Sequence, residues 1–290
     1  MKPELVLDAQ AILGEGPCWD ETLDGLWWVD IVEKRLHLFR PTAGTNQTIQ
    51  LDQQIGTVAP RTADSVVVAL QDGLYVLDLR TRALDRLANN EDGRTDNRFN
   101  DGKCDAFGRL WAGTLNLNGE KAAGSLYRLD TNGKLSKMRS GVSVSNGLGW
   151  SPDHTRMYWI DSPTRQVTAF AYDPATGHIE NPETVVRFRE EDGVPDGMTT
   201  DEEGMLWIAH WDGGQVSRWD PRTGERLESI PIPAPRVTSC AFGGPDRREL
   251  YVTTARIRLD EATLQQYPHS GGIFRIRTAV TGMRTYPFRG

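Results

Sequence analysis

The sequence predicts an all-β fold: a six-bladed β-propeller of four-stranded antiparallel blades, with residues 1–290 as a single domain. Three observations carry this. A nine-residue pattern recurs along the chain, each copy is followed by short apolar–polar alternations bounded by Gly, Asp and Pro, and helix signals are nearly absent. The aromatic or β-branched centres of six copies are spaced by roughly 40 to 50 residues, the period of a propeller blade. All-β architectures reach 290 residues as one unit, and no linker interrupts this chain.

The second strand of each blade is the clearest element. Asp105-Ala106-Phe107-Gly108-Arg109-Leu110-Trp111-Ala112-Gly113 matches Asp201-Glu202-Glu203-Gly204-Met205-Leu206-Trp207-Ile208-Ala209. Looser copies start at Asp20, Ser151 and Gly244, and the weakest at Thr62. The third strands follow as Lys34 to Arg40, Gly73 to Asp78, Gly124 to Asp130, Gln166 to Pro174, Gln215 to Pro221 and Gly271 to Ile276. The last copy ends in a short tail, Thr285-Tyr286-Pro287-Phe288, whereas Leu5 to Ala9 precedes the first copy unclaimed. A ring of blades must close its edges, so one terminus is expected to lend a strand to the other terminal blade.

About ten residues before each strand-two centre lies the start of the innermost strand. The residues there are Glu15, Thr57, Asn100, Asn146, Asp196 and Thr238. They sit at the rim opposite the Asp-x-x-Gly turns, displaced by ~17 Å for five residues of strand, and all six are expected to face one end of the channel. Four belong to Gly-containing runs: Gly14-Glu15-Gly16-Pro17, Asn100-Asp101-Gly102, Ser145-Asn146-Gly147-Leu148 and Pro195-Asp196-Gly197-Met198. Any one Asn-Gly or Asp-Gly pair reads as a turn, and the same phase in four blades weakens that reading. Carboxylates converging on one axis repel unless a cation or proton sits among them. Oxygen-only ligands suit a hard divalent ion such as calcium, magnesium or manganese.

Taken with Arg98-Phe99-Asn100-Asp101-Gly102-Lys103, Thr238-Ser239-Cys240-Ala241-Phe242-Gly243-Gly244 and Gly271-Gly272-Ile273-Phe274, these runs resemble the regucalcin (senescence marker protein)/gluconolactonase family over essentially the whole chain. The resemblance implies a propeller that hydrolyses a sugar (aldono) lactone to the aldonic acid in a sugar oxidation pathway, using one divalent metal ion. Calcium is the first expectation, with zinc, manganese, magnesium and iron(II) as the others. Carried across, Glu15, Asn146 and Asp196 match the metal ligands, and Asp196 is also the general base. Arg98 and Asn100 match substrate contacts, with Asn100 near enough to join the metal shell; Asp101 takes a supporting role. A family glutamate on the loop after Gly113-Thr114 is replaced here by Asn118, which bears on the identity of the sugar rather than on the reaction. The alternative is a non-catalytic, calcium- or ligand-binding regulatory propeller.

Composition bounds the rest. A net charge of −7 and a pI near 5.3 argue against wrapping a nucleic-acid backbone or lying on an anionic membrane. The partner is therefore expected to be a small molecule, and the chain a monomer or weak homo-oligomer. No run is apolar and long enough to span a bilayer, and Met1 to Leu7 lacks the pattern of a secretory signal, so the expected location is cytoplasmic. Cys18, Cys104 and Cys240 are too few and scattered for a disulfide framework and read as small buried hydrophobes. No Gly-x-Ser-x-Gly nucleophile motif is present. His210 is expected to pack rather than bind metal, Trp211 is a candidate for the pocket wall, and the charged run Arg187 to Asp192 reads as solvated loop.

Overall fold

Each copy of the repeat folds into the second strand of a four-stranded antiparallel sheet, and the sheets follow one another around a central channel. The computed structural model describes residues 1–89 and 94–290. The first blade is β2 (Gly14–Asp20), β3 (Gly25–Asp30), β4 (Arg35–Arg40) and β5 (Thr45–Gln50), and the second β6 (Ile55–Thr62), β7 (Ser65–Leu70), β8 (Gly73–Asp78) and β9 (Leu84–Asn89). The third is β10 (Asn97–Cys104), β11 (Leu110–Asn116), β12 (Gly124–Leu129) and β13 (Leu135–Val142), and the fourth β14 (Ser145–Trp150), β15 (Arg156–Asp161), β16 (Gln166–Asp173) and β17 (His178–Arg187). The fifth is β18 (Val194–Thr200), β19 (Leu206–Trp211), β20 (Gln215–Asp220) and β21 (Glu225–Pro231). The sixth takes β22 (Arg236–Gly243), β23 (Glu249–Ala255) and β24 (Ile273–Arg277) from its own stretch and β1 (Glu4–Leu7) from the N-terminus. Glu4 lies opposite Arg275 and Leu5 opposite Phe274, so the expected closure by a terminal strand is present.

The recurring Asp explains itself in the packing. Asp105 Oδ1 accepts the Phe107 and Arg109 amides, closing the turn. Its Oδ2 accepts the Trp111 indole at 3.0 Å, Arg109 Nε at 2.7 Å and the Tyr172 hydroxyl at 2.7 Å. Asp201 repeats the arrangement with Trp207 and Arg218, and Asp20 with Trp27. One carboxylate thus turns the chain and anchors the indole of the next strand, which then packs between blades. The core lies in these interblade layers: Trp27, Leu36 and Leu38 of the first blade pack with Val58, Val66 and Val68 of the second.

Beyond β24 the chain crosses the turn-bearing face of the ring as a strap, a feature without sequence warning. Gly282 N donates to Arg247 O and Met283 N to Thr200 O; on the far side Phe288 N donates to Pro60 O and Arg289 N to Gly108 O. Phe288 is 2% exposed and fills the layer between the second and third blades. Phe288→Ala is expected to cost about 3 kcal/mol, the usual loss on emptying a buried Phe site, read as a lowered urea midpoint. The insertion between β23 and β24 carries a short helix, α1 (Glu261–Gln266), whose Thr263 amide is capped by Asp260.

Two histidines are locked neutral. His210 is fully buried: Nδ1 donates to Asp192 O at 2.7 Å, and Nε2 accepts from Ser217 Oγ, which accepts from the Trp219 indole. His37 stacks on Trp28, with centroids 3.9 Å apart, and meets Thr48 Oγ1 at 2.9 Å. Burial lowers both imidazoles from 6.5 to about 4. Between those values the unfolded chain binds protons that the folded chain refuses, so stability falls as pH drops from about 6.5 to 4, by on the order of 3 kcal/mol per group at most. Urea titrations across that window should show the loss, with the His37 and His210 NMR resonances remaining those of neutral rings down to about pH 4.

Candidate functional site

All six inner strands break their pairing register at one level: between Glu15 and Cys18, Ile55 and Thr57, Phe99 and Gly102, Asn146 and Leu148, Pro195 and Met198, and Val237 and Ser239. A bulge bends its strand and re-aims the local side chains. Here it brings Glu15 (β2), Asn100 (β10), Asn146 (β14) and Asp196 (β18) onto one cavity of about 660 Å³, together with Arg98, Asn118, Gln54 and Ser162. Thr57 and Thr238 occupy the same level but lie outside the cavity lining. Thr57 Oγ1 donates to Gly102 O at 2.9 Å and Thr238 Oγ1 to Gly14 O at 2.6 Å, so they stitch neighbouring inner strands together. The expectation that all six positions open on the channel end therefore narrows to four.

The Asn-Gly and Asp-Gly pairs lie inside strands, not turns, because their glycines mark close interblade approaches. A Cβ on Gly147 would stand 2.8 Å from Asp196 O, and one on Gly197 only 2.0 Å from Ser239 Oγ. Removing those side chains lets the strands bearing Asn146 and Asp196 converge.

Convergence makes the site electrostatically unfavourable by itself. Glu15 Oε2 accepts from Gly16 N at 3.0 Å, yet burial, reinforced by the Asp101 charge, raises its carboxyl to about 8. Asp196 is raised well above the usual carboxylate range, by burial first and then by Glu15 and Asp101. Arg98, buried between these acids, is lowered to about 10 by desolvation. Asp196 Oδ1 is buried with no hydrogen-bond partner, an expensive condition for a carboxylate oxygen. Two carboxylates, one of them with an orphaned oxygen, and an amide oxygen on one cavity form a donor set that a hard divalent cation would satisfy. Among the described residues no three His, Cys, Asp or Glu side chains cluster as a metal site, since the third oxygen of this set comes from an amide.

The hydrogen bonds assign the neighbours. Arg98 Nη1 donates to Phe99 O at 2.9 Å and to Asn100 Oδ1 at 2.7 Å, and Asn100 Nδ2 donates to Ser145 O and Asn146 Oδ1 at 2.9 and 3.0 Å. Asn100 thus turns its oxygen to Arg98 and its amide nitrogen to Asn146. Asn118 is exposed on the loop after β11, at the cavity wall. Asp101 lies off the cavity lining: its Oδ1 accepts from Gly102 N at 2.7 Å and its charge acts on Lys103, whose Nζ donates to Met198 O at 2.7 Å. Lys103, Cys18 and Cys104 line a separate small cavity of about 50 Å³ under the C-terminal strap. All three cysteines are free, and burial raises the Cys18 and Cys240 thiols to about 12, which leaves them unreactive.

Trp211 lines the cavity, with the Arg236 guanidinium 4.9 Å from its ring centroid, whereas His210 beside it packs inward. Asp192 departs from the solvated-loop reading: it is buried and paired with Arg226 at 2.7 Å. Sequence reasoning also passed over Gln54 and Ser162. Gln54 Oε1 is a second buried acceptor without a partner on this cavity. Ser162 follows β15 at the rim that carries the other site residues, and that phase was the available signal.

Residues 13–256 match the family described as SMP-30/Gluconolactonase/LRE-like region. A Bacillus subtilis (strain 168) protein assigned as a sugar lactone lactonase, YvrE, is 42% identical over 290 residues, covering 100% of this chain and 99% of its own length. Regucalcin of Oryctolagus cuniculus is 39% identical over 296 residues, again covering 100% and 99%. The crystal structure of a calcium-binding protein, regucalcin, from Agrobacterium tumefaciens superposes with a TM-score of 0.95 at 31% identity, over 99% of this chain and 97% of that one. The chain belongs to the SMP-30/gluconolactonase/LRE-like family.

Proposed function

We propose that this protein is a divalent-metal-dependent lactonase that opens a sugar lactone to the corresponding hydroxy acid. The observation that carries the reading is the convergence of Glu15, Asn146 and Asp196 on one cavity, with Asp196 Oδ1 buried and unpartnered. Glu15, Asn146 and Asp196 would hold the cation. When bound, such an ion polarises a carbonyl and makes a nearby water more acidic.

The rest falls to the chain's own groups. Asp196 takes a proton from the attacking water, whose oxygen bonds to the lactone carbonyl carbon. The ring C–O bond then breaks, and the proton passes to the departing ring oxygen. The new carboxylic acid ionises, releasing one proton per turnover. Arg98, anchored by Asn100, offers its remaining N–H groups to sugar hydroxyls, with Asn118 and Trp211 bounding the ring at the cavity wall. Arg98, a buried cation in the field of Glu15 and Asp196, is placed to favour the anionic tetrahedral transition state over the neutral lactone.

The test is a pH-indicator assay of several aldonolactones on chelator-treated protein, with calcium, manganese, magnesium, zinc or iron(II) restored in turn. Metal-dependent opening above the spontaneous rate is expected for at least one lactone. Ion binding without turnover on any of them favours instead a calcium-binding regulatory propeller.

A further inference from the structure

Five residues from three blades form one run of hydrogen bonds in which every donor points the same way. Arg98 Nη1 donates to Asn100 Oδ1 at 2.7 Å, Asn100 Nδ2 to Asn146 Oδ1 at 3.0 Å, Asn146 Nδ2 to Ser162 Oγ at 2.8 Å, and Ser162 Oγ to Pro195 O at 2.7 Å. The two ends fix the sense of the run, because a guanidinium only donates and a backbone carbonyl only accepts. With Asn146 reversed, its Nδ2 would face the Asn100 amide nitrogen, and its Oδ1 would face a hydroxyl whose proton is already given to Pro195. Both contacts would be lost, and all of these side chains are buried.

Ser162 is where this run is locked. It opens a 3-10 turn, Ser162–Thr164, directly after β15, and its own amide donates to Val144 O at 3.0 Å. Its hydroxyl accepts from the amide of Asn146 and donates to the carbonyl of the residue before Asp196. One small side chain therefore sets the orientation of one candidate ligand and ties it to the strand bearing another.

We propose that Ser162 is a positioning residue for the cation site, holding the Asn146 amide so that Oδ1 rather than Nδ2 is presented on the Asn100 side of the cavity. This rests on the reading of Glu15, Asn146 and Asp196 as ligands of a divalent ion. Groups that orient metal ligands from behind typically change affinity by about 10- to 100-fold when removed. The loss should appear in the metal concentration needed, because Ser162 is assigned no contact with substrate.

Calorimetric titration of the chelator-treated full chain with calcium and with manganese tests this. Ser162→Ala is expected to raise Kd about tenfold or more, and Ser162→Thr, which keeps the hydroxyl, by about threefold or less. In an Asn146→Asp background, where both side-chain oxygens accept and no orientation is required, the alanine change is expected to cost about threefold or less. Saturating metal should restore the Ser162→Ala kcat to within about twofold of wild type. Should the alanine variant not fold, Ser162→Cys, nearly isosteric but a weak hydrogen-bonding partner, reads out the same direction. An unchanged Kd in Ser162→Ala or Ser162→Cys, or an equal penalty with Asn146 intact and in the Asn146→Asp background, would overturn the assignment. Wild-type protein that binds neither ion overturns instead the cation reading beneath it.

Discussion

Asp196→Ala is expected to lower kcat/KM for lactone opening by about 10³-fold or more, since it removes both the proposed general base and a ligand of the cation. The same variant should be no less stable than wild type when both are stripped of metal. Burial, then the Glu15 and Asp101 charges, hold the Asp196 carboxyl well above its usual range, so deleting it relieves that desolvation and repulsion and leaves one orphaned acceptor fewer. Activity and metal-free stability are thus predicted to move apart, as expected where a site is built at the expense of the fold. Steady-state kinetics beside urea denaturation of chelated protein measures both. Retained metal-dependent turnover would remove Asp196 from the mechanism, and a collapse of metal-free stability would make its role structural.

The second large effect belongs to the repeat. Asp105 is 0% exposed and receives the Trp111 indole, the Tyr172 hydroxyl and the Arg109 guanidinium while closing the turn between β10 and β11. Asp105→Ala leaves Arg109, itself buried, without its counter-charge and is expected to cost about 3–5 kcal/mol. Asp105→Asn keeps the turn acceptor but not the charge and should fall between alanine and wild type. Urea unfolding of the three proteins gives the order. A cost under about 1 kcal/mol for alanine would mean that the turn and the indole are held by something else.

What could be read in advance follows from which forces leave a periodic trace. The Asp-x-x-Gly-x-Leu-Trp unit is legible because one carboxylate must serve turn and indole at a fixed spacing in several blades, and the third strands because apolar–polar alternation bounded by Gly, Asp and Pro is the mark of a strand. Glu15, Asn100, Asn146 and Asp196 are legible as a set through their common phase, which became the common level of the inner-strand bulges. That Thr57 and Thr238 turn aside at this level depends on the neighbouring strands' carbonyls, which no local pattern encodes. The strap from Thr278 to Gly290 was invisible for a similar reason: it is held largely by main-chain bonds that any residue offers, with Phe288 as an isolated anchor. Asp192 looked like part of a solvated run, and its burial follows from Arg226 arriving from β21. The orientation of the Asn100 and Asn146 amides is still more remote from sequence, because the atoms that fix it sit on three blades.

The most direct measurement is anomalous diffraction at the manganese edge from crystals of the chelated protein soaked in manganese, for wild type and Asp196→Ala. A single wild-type peak bounded by Glu15, Asn146 and Asp196, lost in the variant, is the predicted result. A wild-type peak away from those three oxygens, or no peak in a protein that still opens a lactone after chelation, would contradict it.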